Sequence, residues 1–334
     1  MTPHARNRSA LGWFALLATI AQCLSAQARA EELTHALGVY DGAGCTGTKR
    51  LPSFESWLGR KPQRVLDFIA WKEGRSGWNW VLGCWNAANI EALTISVPML
   101  PSDGAATLAQ GAAGKFDAMF ADLALDLVKR GFANAIVRIG WEFNGDWYPW
   151  AAAKDPESWI AYWRRIVSIM RKAPGARFKF DWCPGTGWTA FEAQNAYPGD
   201  EYVDYIGMDV YDTSWDPKVV TPEQRWNEKM TARHGLKWHR DFAQAHGKPM
   251  SFPEWGIMTR TDGHGGGDNH RFIEHMAQWI AANNVAYHNY WDYKEKAYNS
   301  RLSDGSHPKS AEAFRNAFGR QGPSPALVTS EVRR

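Results

Sequence analysis

The chain has 334 residues, with 38 Lys and Arg against 35 Asp and Glu for a formal charge of +3, and it carries 19 Trp. The first 30 residues contain Arg6, Arg8 and Arg29 and no acid, so without them the remaining 304 residues are neutral. A neutral surface argues against a nucleic-acid partner, which demands a basic face, and it suits an uncharged polymer such as a neutral polysaccharide.

The chain opens with basic MTPHARNR, an apolar run from Leu11 to Leu24, and AQARA, whose Ala28 and Ala30 form a small-x-small cleavage signal. Residues 1–30 therefore read as a signal peptide cleaved near Ala30, which implies a secreted or periplasmic protein. The apolar run is short for a membrane span, so no stable membrane insertion is expected after cleavage.

From residue 31 to about 320, short apolar runs alternate with stretches of helical periodicity, the pattern of βαβ units and a parallel sheet. Strands are expected at Ala36–Tyr40, Val65–Ala70, Ala92–Val97, Ala135–Trp141, Phe178–Cys183, Val203–Val210, Pro249–Glu254 and Val285–Trp291. Helices are expected over Lys115–Arg130, Pro156–Lys172, Pro222–Ala245 and Asn269–Asn283, the first three ending near Gly131, Pro174 and Gly247.

Eight strands are what a closed barrel needs, and the chain is a little longer than the ~250 residues typical of one. The expected fold class is α/β, a single (β/α)8 TIM barrel over residues 31–320, followed by a flexible tail over 321–334. The rival is an open doubly wound sheet. Against it, no G-x-G-x-x-G follows the first strand and no P-loop occurs; GAGCTG at 42–47 is Gly-rich but leads into no convincing helix start. After signal removal the cysteines are Cys45, Cys84 and Cys183, an odd set for an oxidising compartment. A Cys45–Cys84 disulfide with Cys183 free is the expectation.

Two acidic strand ends stand out, VRIGWEFNGDWYPW around Glu142 and KPMSFPEWG around Glu254. Alternate residues of a strand face the same way, so Arg138, Gly140 and Glu142 should point into the barrel while Ala135, Val137 and Ile139 meet the helices. Barrel enzymes keep their chemistry at the carboxyl ends of the strands. A plain ion pair between Glu142 and Arg138 would not account for the aromatic FNGDWYPW loop. Paired carboxylates are what glycosidic hydrolysis needs, one to protonate the leaving oxygen and one to attack or stabilise the sugar cation.

These segments resemble the clan A glycoside hydrolases, and glycoside hydrolase family 26 in particular. The Arg-x-x-x-Glu-x-x-Gly-x-Trp pattern of that family is matched by Arg138, Glu142, Gly145 and Trp147. Its Trp-x-Pro is matched by Trp182 and Pro184, its Asp-x-Tyr by Asp209 and Tyr211, and its strand-eight Trp by Trp291. The resemblance implies that Glu142 is the acid/base and Glu254 the nucleophile of a retaining mechanism, with Tyr211 and Arg138 as donors to Glu254. Retention requires carboxyls about 5–5.5 Å apart, whereas about 6.5–9.5 Å would predict inversion. Family mannanases carry His just before the acid/base, where this chain has Trp141, which leaves open the sugar beside the cleavage point.

Aromatic faces stack on the C–H faces of sugars. Trp147, Tyr148, Trp150, Trp182 and Trp291 are the candidate platforms, with Trp141 beside the acid. Asp209 is a candidate for a sugar hydroxyl, and Asp41 and Trp71, ending the first two strands, for the non-reducing side. The segment TRTDGHGGGDNH at 259–270 reads as a solvent loop or a lid. Its His264 and His270, with His275, lack metal-ligand spacing, so neither metal nor cofactor is expected.

The function implied is an endo-acting β-glycosidase working on a neutral β-linked polysaccharide, and a monomer is expected. β-Mannan is the first substrate to test, then mixed-linkage β-glucan, β-1,3-xylan or a bacterial exopolysaccharide. A non-catalytic carbohydrate-binding barrel and a transglycosylase are the alternatives.

Overall fold

The computed structural model describes residues 35–71, 76–86, 90–187, 189 and 191–319. The expected signal peptide and the tail over 321–334 lie outside the described residues. Eight parallel strands close into a barrel: β1 (Ala36–Tyr40), β2 (Arg64–Phe68), β3 (Leu93–Val97), β4 (Ile136–Ile139), β5 (Lys179–Trp182), β6 (Tyr205–Gly207), β7 (Met250–Gly256) and β8 (Val285–Trp291). Each pairs with the next, and β8 returns to β1 in a register running from Ala36 opposite Tyr287 to Tyr40 opposite Trp291. Val210–Tyr211 prolongs β6 along the carboxyl end of β7. Every residue of β3 and β7 is buried, which is why these strands read as apolar runs and not as an alternation.

The outer layer holds α1 (Cys45–Leu58), α2 (Ser76–Asn86), α3 (Leu108–Ala112), α4 (Asp117–Lys129), α5 (Pro156–Met170), α6 (Pro222–Thr231), α7 (Leu236–Ala245), α8 (His270–Ala282) and α9 (Pro308–Phe318). α5 shows how sequence makes such a helix. Asp155 accepts a hydrogen bond from the Ser158 amide at 3.0 Å and Pro156 occupies the first turn, the start signals such residues provide. Trp159, Tyr162, Trp163, Ile166, Val167 and Met170 then form one buried stripe. Trp163 Nε1 donates to the Ile139 carbonyl at 3.2 Å, tying the helix to the strand that leads into Glu142.

The expected helix Pro222–Ala245 is two helices. His234, fully buried between them, interacts with Thr189 and accepts from the Ala193 amide, and its backbone bridges to Gly187. That set of contacts needs extended backbone, which no helical periodicity reveals. α1 corrects the reading of GAGCTG as leading into no helix. Its start has no side-chain cap; the Gly44 amide is held by Asp67 at 2.6 Å and Cys45 is bonded to Cys84. Both anchors are distant in sequence. Cys183 is buried and free.

Inside the lower barrel, Tyr287 and Ser251 both donate to Asp181, at 2.6 and 2.5 Å. The side chains above this layer, towards the carboxyl ends of the strands, form the site.

Candidate active site

β4 ends at Ile139, and Gly140 and Glu142 both adopt left-handed backbone, with φ of 54° and 51°. A Cβ at Gly140 would lie 2.5 Å from the Met99 sulfur, so glycine is required there twice over. Simple pleat alternation therefore does not set Glu142. The chain turns sharply, and the Glu142 amide donates to the Cys183 carbonyl at 2.8 Å. Non-glycine residues in this region are uncommon and concentrate at functional positions. Asn144 fastens the same turn to the loop after β5, donating to the Gly185 carbonyl and accepting from the Gly185 amide, both at 2.8 Å.

Glu254 lies on β7 and is 7 % exposed. Arg138 donates to one of its oxygens at 2.5 Å and Tyr211 Oη donates to the other at 2.7 Å. Both Glu254 oxygens thus accept a hydrogen bond from a fixed donor. Arg138 also forms an ion pair with Asp209, and both of those side chains are completely buried. One guanidinium thus faces several carboxyl groups. Burial, and then the charge of Glu254, raise the pKa of Glu142 to about 7, against the opposing pull of Arg138 and of the Trp147 indole N–H, which donates to Glu142 at 2.9 Å.

Two lobes of one cleft meet at Glu142. The smaller, about 420 Å³, is bordered by both acids and by Tyr40, Trp141, Tyr148, Tyr211 and Trp291. The larger, about 600 Å³, is bordered by Glu142 but not Glu254, and by Trp147, Thr186, Asp216, Glu228 and Lys229. Tyr211, Thr213 and Trp215 border both lobes. Trp291 stacks on Tyr40 with centroids 4.1 Å apart, and Trp141 donates to Tyr148 Oη at 2.9 Å, so this aromatic wall is braced by its own contacts.

Of the residues singled out from sequence, Glu142, Glu254, Trp141, Trp147, Tyr148, Asp209, Tyr211 and Trp291 converge on this cleft. Others are corrected. Arg138 and Asp209 have no exposed side-chain surface; Arg138 bonds both Glu254 and Asp209 from beneath the cleft, and Asp209 borders the larger lobe. Trp182 is fully buried, its N–H donating to the Ala196 carbonyl and its ring packed on Phe143 and Tyr197. Trp150 is 4 % exposed and donates to the Trp141 carbonyl, so neither ring offers a face to a ligand. Asp41 is buried beside Arg301 at 3.4 Å and borders neither lobe. Trp71 packs edge-on against Phe116 and Phe120, also away from the cleft.

The segment 259–270 is tied down by backbone pairing, and its Arg260 borders the smaller lobe. Thr259–Arg260 pairs with Tyr298–Asn299, Gly265 bridges to Thr213, and the Gly266 amide donates to the Asp212 carbonyl at 2.8 Å. A Cβ at Gly266 would lie 1.8 Å from an Asp212 oxygen, so the glycines serve close packing. His264 faces the Ser214 carbonyl at 2.9 Å, and His275 stacks on Trp226. Sequence reasoning missed Trp215, 62 % exposed at the meeting of the lobes; an aromatic in the polar loop after strand six was the available signal.

Residues 114–262 match the model of Glycosyl hydrolase family 26. Endoglucanase H of Acetivibrio thermocellus is 26% identical over 288 residues, covering 82% of this chain and 29% of its own length. The chain thus spans less than a third of that curated relative. Among solved structures, the Bacillus subtilis mannanase man26 aligns with a TM-score of 0.58 at 18% identity, covering 86% of each chain. A GH26 beta-mannanase from Bacteroides ovatus aligns with a TM-score of 0.58 at 16% identity, covering 86% of this chain and 89% of its own. These structural likenesses share the barrel.

Proposed function

We propose that this chain, a glycoside hydrolase of the family 26 type, is a secreted or periplasmic endo-acting β-glycosidase that cleaves a neutral β-linked polysaccharide with retention of configuration. The observation that carries the reading is the pairing of Glu142, with its pKa raised to about 7, with Glu254 held by Arg138 and Tyr211 in one aromatic cleft.

The Glu254 carboxylate attacks the anomeric carbon as the bond to the leaving oxygen breaks, and the Glu142 proton passes to that oxygen. Attack consumes the negative charge of Glu254. That removes a cause of the raised Glu142 pKa, so the same residue becomes the base for the second step. It takes a proton from water, the water oxygen bonds to the anomeric carbon, and Glu254 departs as carboxylate.

A cleft that continues past Glu142 into a second lobe suits a chain lying through it, which supports endo action. The neutral charge after leader removal and the aromatic lining support an uncharged glycan. Mannanases among the structural relatives make β-1,4-mannan the first substrate, and the endoglucanase relative puts mixed-linkage β-glucan second, ahead of β-1,3-xylan and bacterial exopolysaccharide. The leader sequence and the Cys45–Cys84 disulfide support an oxidising, extracytoplasmic location.

The test is a panel of these polysaccharides with the first-released anomer followed by NMR. Release of the β anomer is expected. Release of the α anomer would overturn retention, and inactivity on every glycan would overturn the hydrolase reading.

A further inference from the structure

We propose that Glu228 and Lys229, neighbours on α6, act as a paired acceptor and donor that binds hydroxyls of a neutral sugar on the leaving-group side, and so select which leaving groups are accepted. The inference rests on the hydrolase reading, which defines the two sides. The nucleophile Glu254 borders only the smaller lobe while the acid Glu142 borders both. The attacked ring therefore occupies the smaller lobe and the departing sugar the larger, where Glu228 and Lys229 lie.

Two cations one helical turn apart on α6 face different duties. Arg225 is paired with Asp212 at 3.2 Å. Lys229, only 6 % exposed, makes no hydrogen bond among the described residues, and its ion partner Glu228 stands 3.9 Å away, beyond hydrogen-bond reach. The Glu228 carboxylate accepts no hydrogen bond among the described residues either, and its Oε2 is buried. A buried polar atom left without a partner, as Glu228 Oε2 is, costs free energy, and the Lys229 amine beside it has donors to spare. A sugar hydroxyl answers both at once, its oxygen accepting from Lys229 Nζ and its O–H donating to Glu228, or two adjacent hydroxyls divide the roles.

The surroundings favour an uncharged ligand. Glu142, Asp216 and Glu228 border the same lobe as Lys229, so a sugar bearing a carboxylate would meet like charge. Trp147 and Trp215, 56 and 62 % exposed, supply ring faces for stacking.

The test compares wild type with Lys229→Met and Glu228→Gln on matched substrates. One is a 4-nitrophenyl β-glycoside; the other is an oligosaccharide of the same sugar, which must place a sugar in the larger lobe. Mannose, glucose and xylose pairs are tried, and the pair wild type hydrolyses fastest is used. The readout is the ratio of kcat/KM on oligosaccharide to kcat/KM on aryl glycoside. It should fall about tenfold or more in each variant, the scale of a hydrogen bond to a charged group. A structural defect lowers both rates together, so a ratio within twofold of wild type in either variant overturns the proposal. Glu228→Gln preserves size and shape, and it carries the test if the lysine variant does not fold. Wild-type inactivity on all pairs would instead refute the hydrolase reading, and this inference with it.

Discussion

Replacing Trp147 by Phe should move the alkaline limb of the pH–rate profile upward. The Trp147 N–H donates to Glu142 at 2.9 Å, a bond made best to the charged carboxylate, and it opposes the burial and the Glu254 charge that raise the Glu142 pKa to about 7. Phe keeps an aromatic ring but loses the donor, so the carboxylate form loses support and the pKa rises further. A hydrogen bond to a charged group is worth about 1.5–3 kcal/mol when buried. Trp147 is 56 % exposed and water replaces much of that, leaving roughly 0.7 kcal/mol, or about half a pH unit at about 1.4 kcal/mol per unit. The assay is kcat/KM against pH from 5 to 9 on an oligosaccharide whose leaving group needs protonation, because that parameter reports the free enzyme. The absolute rate will fall as well if the indole stacks on sugar, but the position of the limb is independent of amplitude. A limb unmoved or displaced to lower pH would refute the assignment of Glu142 as the titrating acid.

Glu254→Ala should lower hydrolysis by at least about a thousandfold, and added azide should restore turnover with a glycosyl azide of inverted configuration; unchanged hydrolysis would remove the nucleophile assignment. Trp182→Ala should cost about 3–5 kcal/mol in urea unfolding, the range for emptying a buried aromatic site, without a change in KM, whereas a KM effect at full stability would restore it as a sugar platform. Reducing the Cys45–Cys84 bond, which closes a loop of 39 residues, should cost about 4 kcal/mol on the chain-entropy model, read by denaturation with and without reductant. Burial and then the charge of Asp292 raise Asp41 from 3.8 to about 7. Its folded form thus keeps a proton that the unfolded chain has lost over that window, and the stability it contributes is complete below the lower value and lost as pH rises through the upper one. Asp41→Asn should accordingly gain stability relative to wild type as pH rises from about 4 to 7, and a constant difference over that range would contradict the shift.

The barrel was legible because its strands carry their own signal. β1 and β8 occupy the residues expected of them, and β7 begins one residue inside the expected run and continues two residues beyond its end. Apolar runs buried on both faces are a property of a few consecutive residues, so local reading suffices. The helices were less legible in proportion to their dependence on distant partners. α5 announces itself through Asp155, Pro156 and a stripe of large apolar residues. α1 begins where a disulfide to Cys84 and a carboxylate 23 positions away hold the chain. α9 had no expected counterpart; it presents Phe314 to Tyr290 and Trp255.

The same distinction runs through the site. Glu254 sits within a continuous strand, although the pairing with β8 shifts register between Phe252 and Trp255, and its place at the end of the seventh run follows from counting strands. Glu142 does not obey the pleat. Its strand stops three residues earlier, and a left-handed turn pinned by the Cys183 carbonyl directs it. Motif spacing carries Arg138, Asp209, Trp147 and Trp182 without distinction, yet burial divides them. Arg138 lies beneath Glu254, Asp209 lies beside it at the wall of the larger lobe, Trp147 borders the cleft beside Glu142, and Trp182 belongs to the core against Phe143. A tryptophan in sequence does not declare whether its face will be covered. That depends on α7, whose Phe242 covers Trp182, whereas Trp215 stays exposed although its ring stacks on His264 and lies under the Arg260 guanidinium. Which aromatics can bind sugar is decided by the helices packed behind them, and the residues of those helices stand dozens of positions away from the rings they cover.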